Sequence, residues 1–178
     1  RQDYERLVAD GFFHPEERLE LVDGELIMMT PQGSRHATAV RLAEDTLRAI
    51  FGVGFDVRVQ LPIALEPDSE PEPDLTVVVG SPRDYRDAHP QTAVLIVEVT
   101  DTTLPYDREH KARLYSKAGI PEFWIVNLQD RCLERHRDPE AVGSSCATYQ
   151  SRSVAHPCDT VTPLKSPQGS LVIADLLP

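Results

Sequence analysis

Two short β-branched apolar runs constrain this chain most: Leu75 to Val79, opened by Asp74, and Val94 to Val99, which carries Glu98 beside its last residue. Runs so short, continuous and branched at Cβ read as buried strands. Side chains alternate faces along a strand. If the two strands pair antiparallel with Asp74 opposite Glu98, one face carries Leu75, Val77, Val79, Leu95, Val97 and Val99. The other carries Asp74, Thr76, Val78, Val94, Ile96 and Glu98. One face is then wholly apolar, while the other sets two carboxylates at the same end of the sheet. Burying two unpaired charges costs several kcal/mol each, so the arrangement calls for a cation. A divalent metal meets that demand, and the chain reads as a metal-dependent enzyme.

The rest of the chain sets bounds on this reading. A length of 178 residues suits one domain spanning 1–178, with a core of its own. No apolar stretch is long enough to span a membrane. No secretory signal is visible, although the chain opens at Arg1 without Met. The three cysteines, Cys132, Cys146 and Cys158, lack Cys-x-x-Cys spacing, which argues against a disulfide framework or a zinc knuckle and for reduced cysteines in a cytoplasmic protein. Eighteen Lys and Arg against 29 Asp and Glu leave a net charge of −11. Affinity for phosphate backbones comes largely from Lys and Arg, so nonspecific binding of nucleic acid by the monomer should be weak. The charge is uneven, however. Acid gathers at Glu16 to Glu25 and Glu66 to Asp74, base at Arg108 to Lys117 and Arg131 to Arg137.

Periodicity predicts a mixed α/β (α+β) order. A short helix covers Asp3 to Asp10. Arg18 to Val22 and Glu25 to Met29 form a hairpin around Asp23-Gly24, a favoured two-residue turn, with Leu19, Leu21, Leu26 and Met28 on its apolar face. Ser34 is a candidate N-cap for a helix reaching Phe51, whose buried stripe is Ala39, Val40, Ala43, Leu47 and Ile50. A strand at Phe55 to Leu61 precedes an acidic, proline-rich connector. After the two carboxylate strands, Tyr106 to Ala118 is helical, with Gly119 as its C′ residue and Pro121 beyond. Strands follow at Glu122 to Asn127 and Cys132 to His136. From Asp138 to Ser170 the pattern is weak, with a strand at Cys146 to Ser151, and a last strand runs from Leu171 to Ala174.

On the helix after Glu98, Lys111 points with Leu114, Tyr115 and Ala118, the apolar stripe, while Glu109, Arg113, Ser116 and Lys117 point away. A lysine on an inward stripe can pack its stem and pair with Asp107 at i−4. It can also face the two carboxylates and offset charge in a transition state. With Asp74 and Glu98 on neighbouring strands, the second reading is preferred.

The ordered set Pro73-Asp74, Val97-Glu98-Val99-Thr100 and a following lysine resembles the PD-(D/E)XK nuclease superfamily. More closely, the chain resembles the Uma-type restriction endonucleases, a bacterial family. The matching landmarks are Leu21-Val22-Asp23-Gly24-Glu25-Leu26, Pro73-Asp74-Leu75, Val97 to Thr100, Asp107, Lys111, Tyr115 and Gly119-Ile120-Pro121-Glu122-Phe123-Trp124. The likeness covers roughly residues 16 to 137. It implies a restriction-endonuclease-like core: a central mixed β-sheet flanked by helices, with an N-terminal β-hairpin. It also implies Mg²⁺-dependent hydrolysis of phosphodiester bonds. One departure is plain. The superfamily's usual lysine lies two residues after the acid, where this chain has Thr100, and the Uma-type pattern places it on the following helix, matching Lys111.

In this reading Asp74 and Glu98 hold Mg²⁺, with Mn²⁺ as a substitute, and the Val99 carbonyl offers a further oxygen, a set that hard divalent cations prefer. Lys111 holds the attacking water and offsets negative charge. Glu25, after the hairpin turn, is a candidate extra acid, with simple exposure as its plainer explanation. His36, on the buried stripe of the first long helix, is a candidate phosphate contact or proton carrier, with a satisfied core histidine as the alternative. The expected substrate is DNA, with no membrane partner, and a homodimer would suit double-strand cutting. Two other functions stay open. One is a nuclease fold that binds without cleaving. The other is a glycosidase using Asp74 and Glu98 as acid and nucleophile, which would work without metal.

Overall fold

A computed structural model describes residues 1–14, 16–29, 31–65, 67–166 and 169–178. Glu66, in the acidic connector, and Pro167 and Gln168, in the weakly patterned stretch, lie outside the described residues. The chain opens with α1 (Gln2–Ala9) and a hairpin of β1 (Leu19–Val22) and β2 (Glu25–Met28). Asp23 and Gly24 both have positive φ, 48° and 83°, as the expected tight hairpin turn requires. A long helix, α2 (Ser34–Phe51), follows, with Gly33 rather than Ser34 at its N-cap.

A six-stranded mixed sheet holds the centre, ordered β3 (Phe55–Val59), β4 (Leu75–Val79), β5 (Leu95–Thr100), β6 (Glu122–Asn127), β7 (Cys132–Glu140) and β8 (Thr148–Ala155). All neighbours are antiparallel except β5 and β6. Parallel neighbours need a crossover, here α3, which runs as Leu104–Tyr106, a wide turn of π-helix at Asp107–Lys111, and Ala112–Lys117. Gly119, at φ 73°, ends it in the left-handed conformation that favours glycine. Two short strands, β9 (Thr160–Val161) and β10 (Leu171–Val172), pair near the C-terminus.

The period-2 alternation of the central strands divides the core into two layers. Leu75, Val77, Leu95, Val97, Val99, Trp124 and Val126 pack against Ala39, Val40, Ala43, Leu47 and Phe51 of α2. Val78, Ile96, Phe123 and Ile125 pack on the other face against Ala112, Leu114 and Tyr115 of α3. The α2 stripe is therefore as expected, except that Phe51 replaces Ile50 as its last fully buried residue.

Several expectations are corrected. Val79 is largely exposed, because β4 ends there at a glycine turn, and Val94 packs with the α2 layer. On the hairpin the buried residues are Glu20, Leu21 and Val22, while Leu26 and Met28 face solvent. β1 lies between β2 and the connector, bridged through Leu21 and Glu70, so β2 is the outer strand. Ser116 is buried, not solvated. The strand placed at Cys146 to Ser151 starts later and runs longer, as β8. The three cysteines are free. Among the described residues, no helix is long and apolar enough to cross a membrane.

Candidate active site

The register of β4 and β5 pairs Leu75 with Val97 and Thr76 with Ile96, so its next step sets Asp74 across from Glu98. The two residues clasp each other through the backbone. The Asp74 N–H donates to Glu98 Oε2 at 3.2 Å, and the Val99 N–H donates to Asp74 Oδ2 at 2.9 Å. Asp74 Oδ1 meets His36 Nε2 at 3.0 Å and accepts from Gln60 Nε2 at 3.2 Å. Glu98 Oε1 accepts from the Tyr115 hydroxyl at 2.6 Å and lies 3.7 Å from the Lys111 ammonium. Both carboxylates are buried at the same end of the sheet.

Lys111 is delivered by the π turn of α3, a feature frequent at functional sites. It does not take the i−4 pairing with Asp107 that its spacing allowed. Its ammonium donates to both oxygens of Glu20, at 2.9 and 2.7 Å. Glu20 sits in the middle of β1, and its Oε2 also accepts from the Glu72 N–H at 3.2 Å. Asp107 instead accepts from Thr103 Oγ1 at 2.8 Å, and Thr103 Oγ1 in turn lies 3.1 Å from Thr100 Oγ1.

The sequence-predicted residues thus divide. Asp74, Glu98, Lys111 and His36 come together. Glu25 does not: it is exposed on the outer strand of the hairpin, opposite Val22, and the hairpin's inward acid is Glu20. Sequence reasoning missed Glu20, although it interrupts an apolar strand just as Glu98 does. It also missed Gln60, which extends β3 to meet Asp74, and assigned Tyr115 only to the core.

Charge is out of balance here. Glu20, Asp74, Glu98 and Asp107 are all at most 9% exposed, and Lys111 is the one buried lysine among them. The consequence falls on Glu98: burial raises its pKa, Lys111 opposes, and the nearby charges of Asp74 and Asp107 push it further up. Asp107 is raised as well, first by burial, against its hydroxyl partners. Burial alone would lower Lys111, but Glu98 and Glu20 outweigh it and hold the ammonium charged. For His36, burial is likewise outweighed by the hydrogen bond and charge of Asp74, and its pKa is raised.

Such an acidic excess in a poorly solvated site is stabilised by a cation. Among the described residues no three His, Cys, Asp or Glu side chains are grouped to hold a metal by themselves. Mg²⁺ does not need such a cage. It is bound through one or two carboxylates, keeps several waters and takes oxygens from a substrate phosphate. The paired carboxylates of Asp74 and Glu98 fit that donor chemistry.

The chain matches, over residues 1–173, the family Uma2, described as "Putative restriction endonuclease". It belongs to that family. The match spans the hairpin, α2, α3 and all six strands of the central sheet. The fold is similar to that of a crystal structure of "a putative nuclease belonging to DUF820" from Anabaena variabilis. That chain is 18% identical, covers 92% of this chain and 92% of its own length, and superposes with a TM-score of 0.67. No curated protein matches.

Proposed function

We propose that this Uma2 chain is a Mg²⁺-dependent endonuclease that hydrolyses phosphodiester bonds in DNA, and that Asp74 and Glu98 hold the metal. The observation carrying this reading is the pair of clasped carboxylates at one end of the sheet, with a charged lysine behind them. When bound, the divalent ion supplies a Lewis acid for the phosphate and lowers the pKa of a coordinated water. The chain's own residues do the rest. The reciprocal backbone bonds keep Asp74 and Glu98 side by side, and the Val99 carbonyl offers a further oxygen. Lys111 stays an ammonium, so it donates and does not serve as a base; its role is to offset negative charge developing on the phosphate. Glu20 grips that ammonium from the hairpin and limits its motion. His36 holds Asp74 Oδ1 at 3.0 Å, and its imidazole can carry a proton beside that carboxylate.

The test is incubation of the purified chain with supercoiled and linear DNA, with Mg²⁺, with Mn²⁺ and with chelator. Metal-dependent cutting that disappears in Asp74→Ala supports the assignment. Cutting that persists in chelator, or equally in Asp74→Ala, overturns it. Binding of the metal without cutting of any DNA would favour the non-cleaving relative instead.

A further inference from the structure

We infer that Tyr115 is a positioning residue for Glu98: its phenol fixes the carboxylate in the orientation that receives the divalent ion. This inference rests on the metal reading above. Tyr115 is fully buried, and its ring packs against Phe123 with centroids 5.0 Å apart. Packing alone would be served equally well by phenylalanine. A buried hydroxyl needs a partner, and among the described residues this one donates to Glu98 Oε1 at 2.6 Å.

The other contacts of Glu98 do not fix its carboxylate plane. Oε2 accepts from the Asp74 amide at a long 3.2 Å, and Lys111 is 3.7 Å from Oε1 while bonded to Glu20. The phenol therefore makes the shortest bond in the cluster, to an acid that has no other side-chain donor within hydrogen-bond distance among the described residues. It reaches Glu98 from α3, one helical turn beyond Lys111, so one helix presents both the ammonium and the hydroxyl to the same oxygen. Groups that hydrogen-bond a metal-ligating carboxylate orient it, and losing one costs about 10–100-fold in metal affinity.

The experiment is calorimetric titration of Mg²⁺ into the wild type, Tyr115→Phe, Phe123→Leu and Asp74→Ala, with circular dichroism and Tm recorded for each without metal. The expected result is about a ten-fold or greater loss of Mg²⁺ affinity in Tyr115→Phe, with little change in Tm. Phe123→Leu, which loosens the same aromatic packing but keeps the phenol, should lower Tm and bind Mg²⁺ like the wild type. Equal affinity in Tyr115→Phe and wild type, while Asp74→Ala loses binding, overturns the role of Tyr115 and leaves the metal site standing. Equal losses in Tyr115→Phe and Phe123→Leu overturn it too, since packing would then explain both. No binding by wild type removes the metal site and this inference together. Should Tyr115→Phe not fold, the Cζ resonances of ¹³C-labelled tyrosines in the wild type decide. The Tyr115 signal, assigned against Tyr→Phe variants at the other four tyrosines, must move on addition of Mg²⁺, and an unmoved signal overturns the proposal.

Discussion

Two buried glutamates on neighbouring strands solve the same electrostatic problem in different ways. Glu122, on the α2 face of the sheet, is fully buried and has a guanidinium to itself. Arg137 donates to its Oε1 through both Nε and a terminal nitrogen, at 2.8 and 2.6 Å, and Trp124 Nε1 adds a third bond at 2.8 Å. Its other oxygen accepts from the Leu164 N–H at 2.6 Å, which ties the C-terminal segment to β6. Glu98, on the α3 face, shares one lysine with Glu20 and sits near two further buried acids. A buried carboxylate matched one to one with a cation is a structural joint. Buried carboxylates that outnumber their cations are, on the proposed reading, where a divalent ion is held. The contrast separates site from scaffold without reference to sequence motifs.

Removing the cation on each side should break the comparison most visibly. Lys111→Met should lower the rate of DNA cleavage by about 10²–10³-fold, the loss typical of one preorganised electrostatic group; single-turnover assays at saturating Mg²⁺ measure it. Arg137→Met should leave Glu122 buried without a counter-charge and cost about 3–5 kcal/mol of stability, read by urea denaturation. Its Mg²⁺ affinity should stay that of the wild type. A cleavage defect in Arg137→Met equal to that of Lys111→Met would erase the distinction.

A third buried titratable group sharpens the scaffold side. His136 of β7 is 3% exposed and packs against Phe123 and Tyr149. Burial, with Arg152 adding, pushes its pKa down to about 4. The unfolded chain therefore takes up a proton before the folded one does. Stability from this residue is complete above about pH 6.5 and is lost as pH falls from there toward 4, with a full span of about 3 kcal/mol. Urea midpoints between pH 7 and 4.5 should fall in the wild type more than in His136→Phe; parallel curves would contradict this. The smallest expected effect belongs to Glu25→Gln. Exposed and outside the cluster, it should change stability by less than about 0.5 kcal/mol and leave Mg²⁺ affinity alone, by denaturation and calorimetry.

What the sequence made legible followed from strong periodicity. The strands Leu75–Val79 and Glu122–Asn127 and the helix Ser34–Phe51 are written in apolar spacing, whereas the pairing of Asp74 with Glu98 entered as a condition that the register of β4 and β5 meets. Lys111 was legible because a cation on an apolar stripe is anomalous. Glu20 was not, because the hairpin was read as two strands with one shared apolar face. The connector at Glu70 covers β1 from its far edge, and no local pattern announces that contact. The edge strand β8 was displaced for a related reason. From Gln150 to Val154 it is exposed, so its residues carry no alternation to read. The helix around Lys111 was placed, but its π turn depends on which side chains α3 must present inward, and hydrophobic spacing is too coarse to record it.

The central claim is that Asp74 and Glu98 together receive a divalent cation, and calorimetric titration of Mg²⁺ into the wild type and Asp74→Ala tests it most directly. The account predicts one site in the wild type and none in Asp74→Ala, with the variant folded by circular dichroism. Equal binding by the two proteins, or no binding by a folded wild type, would contradict it.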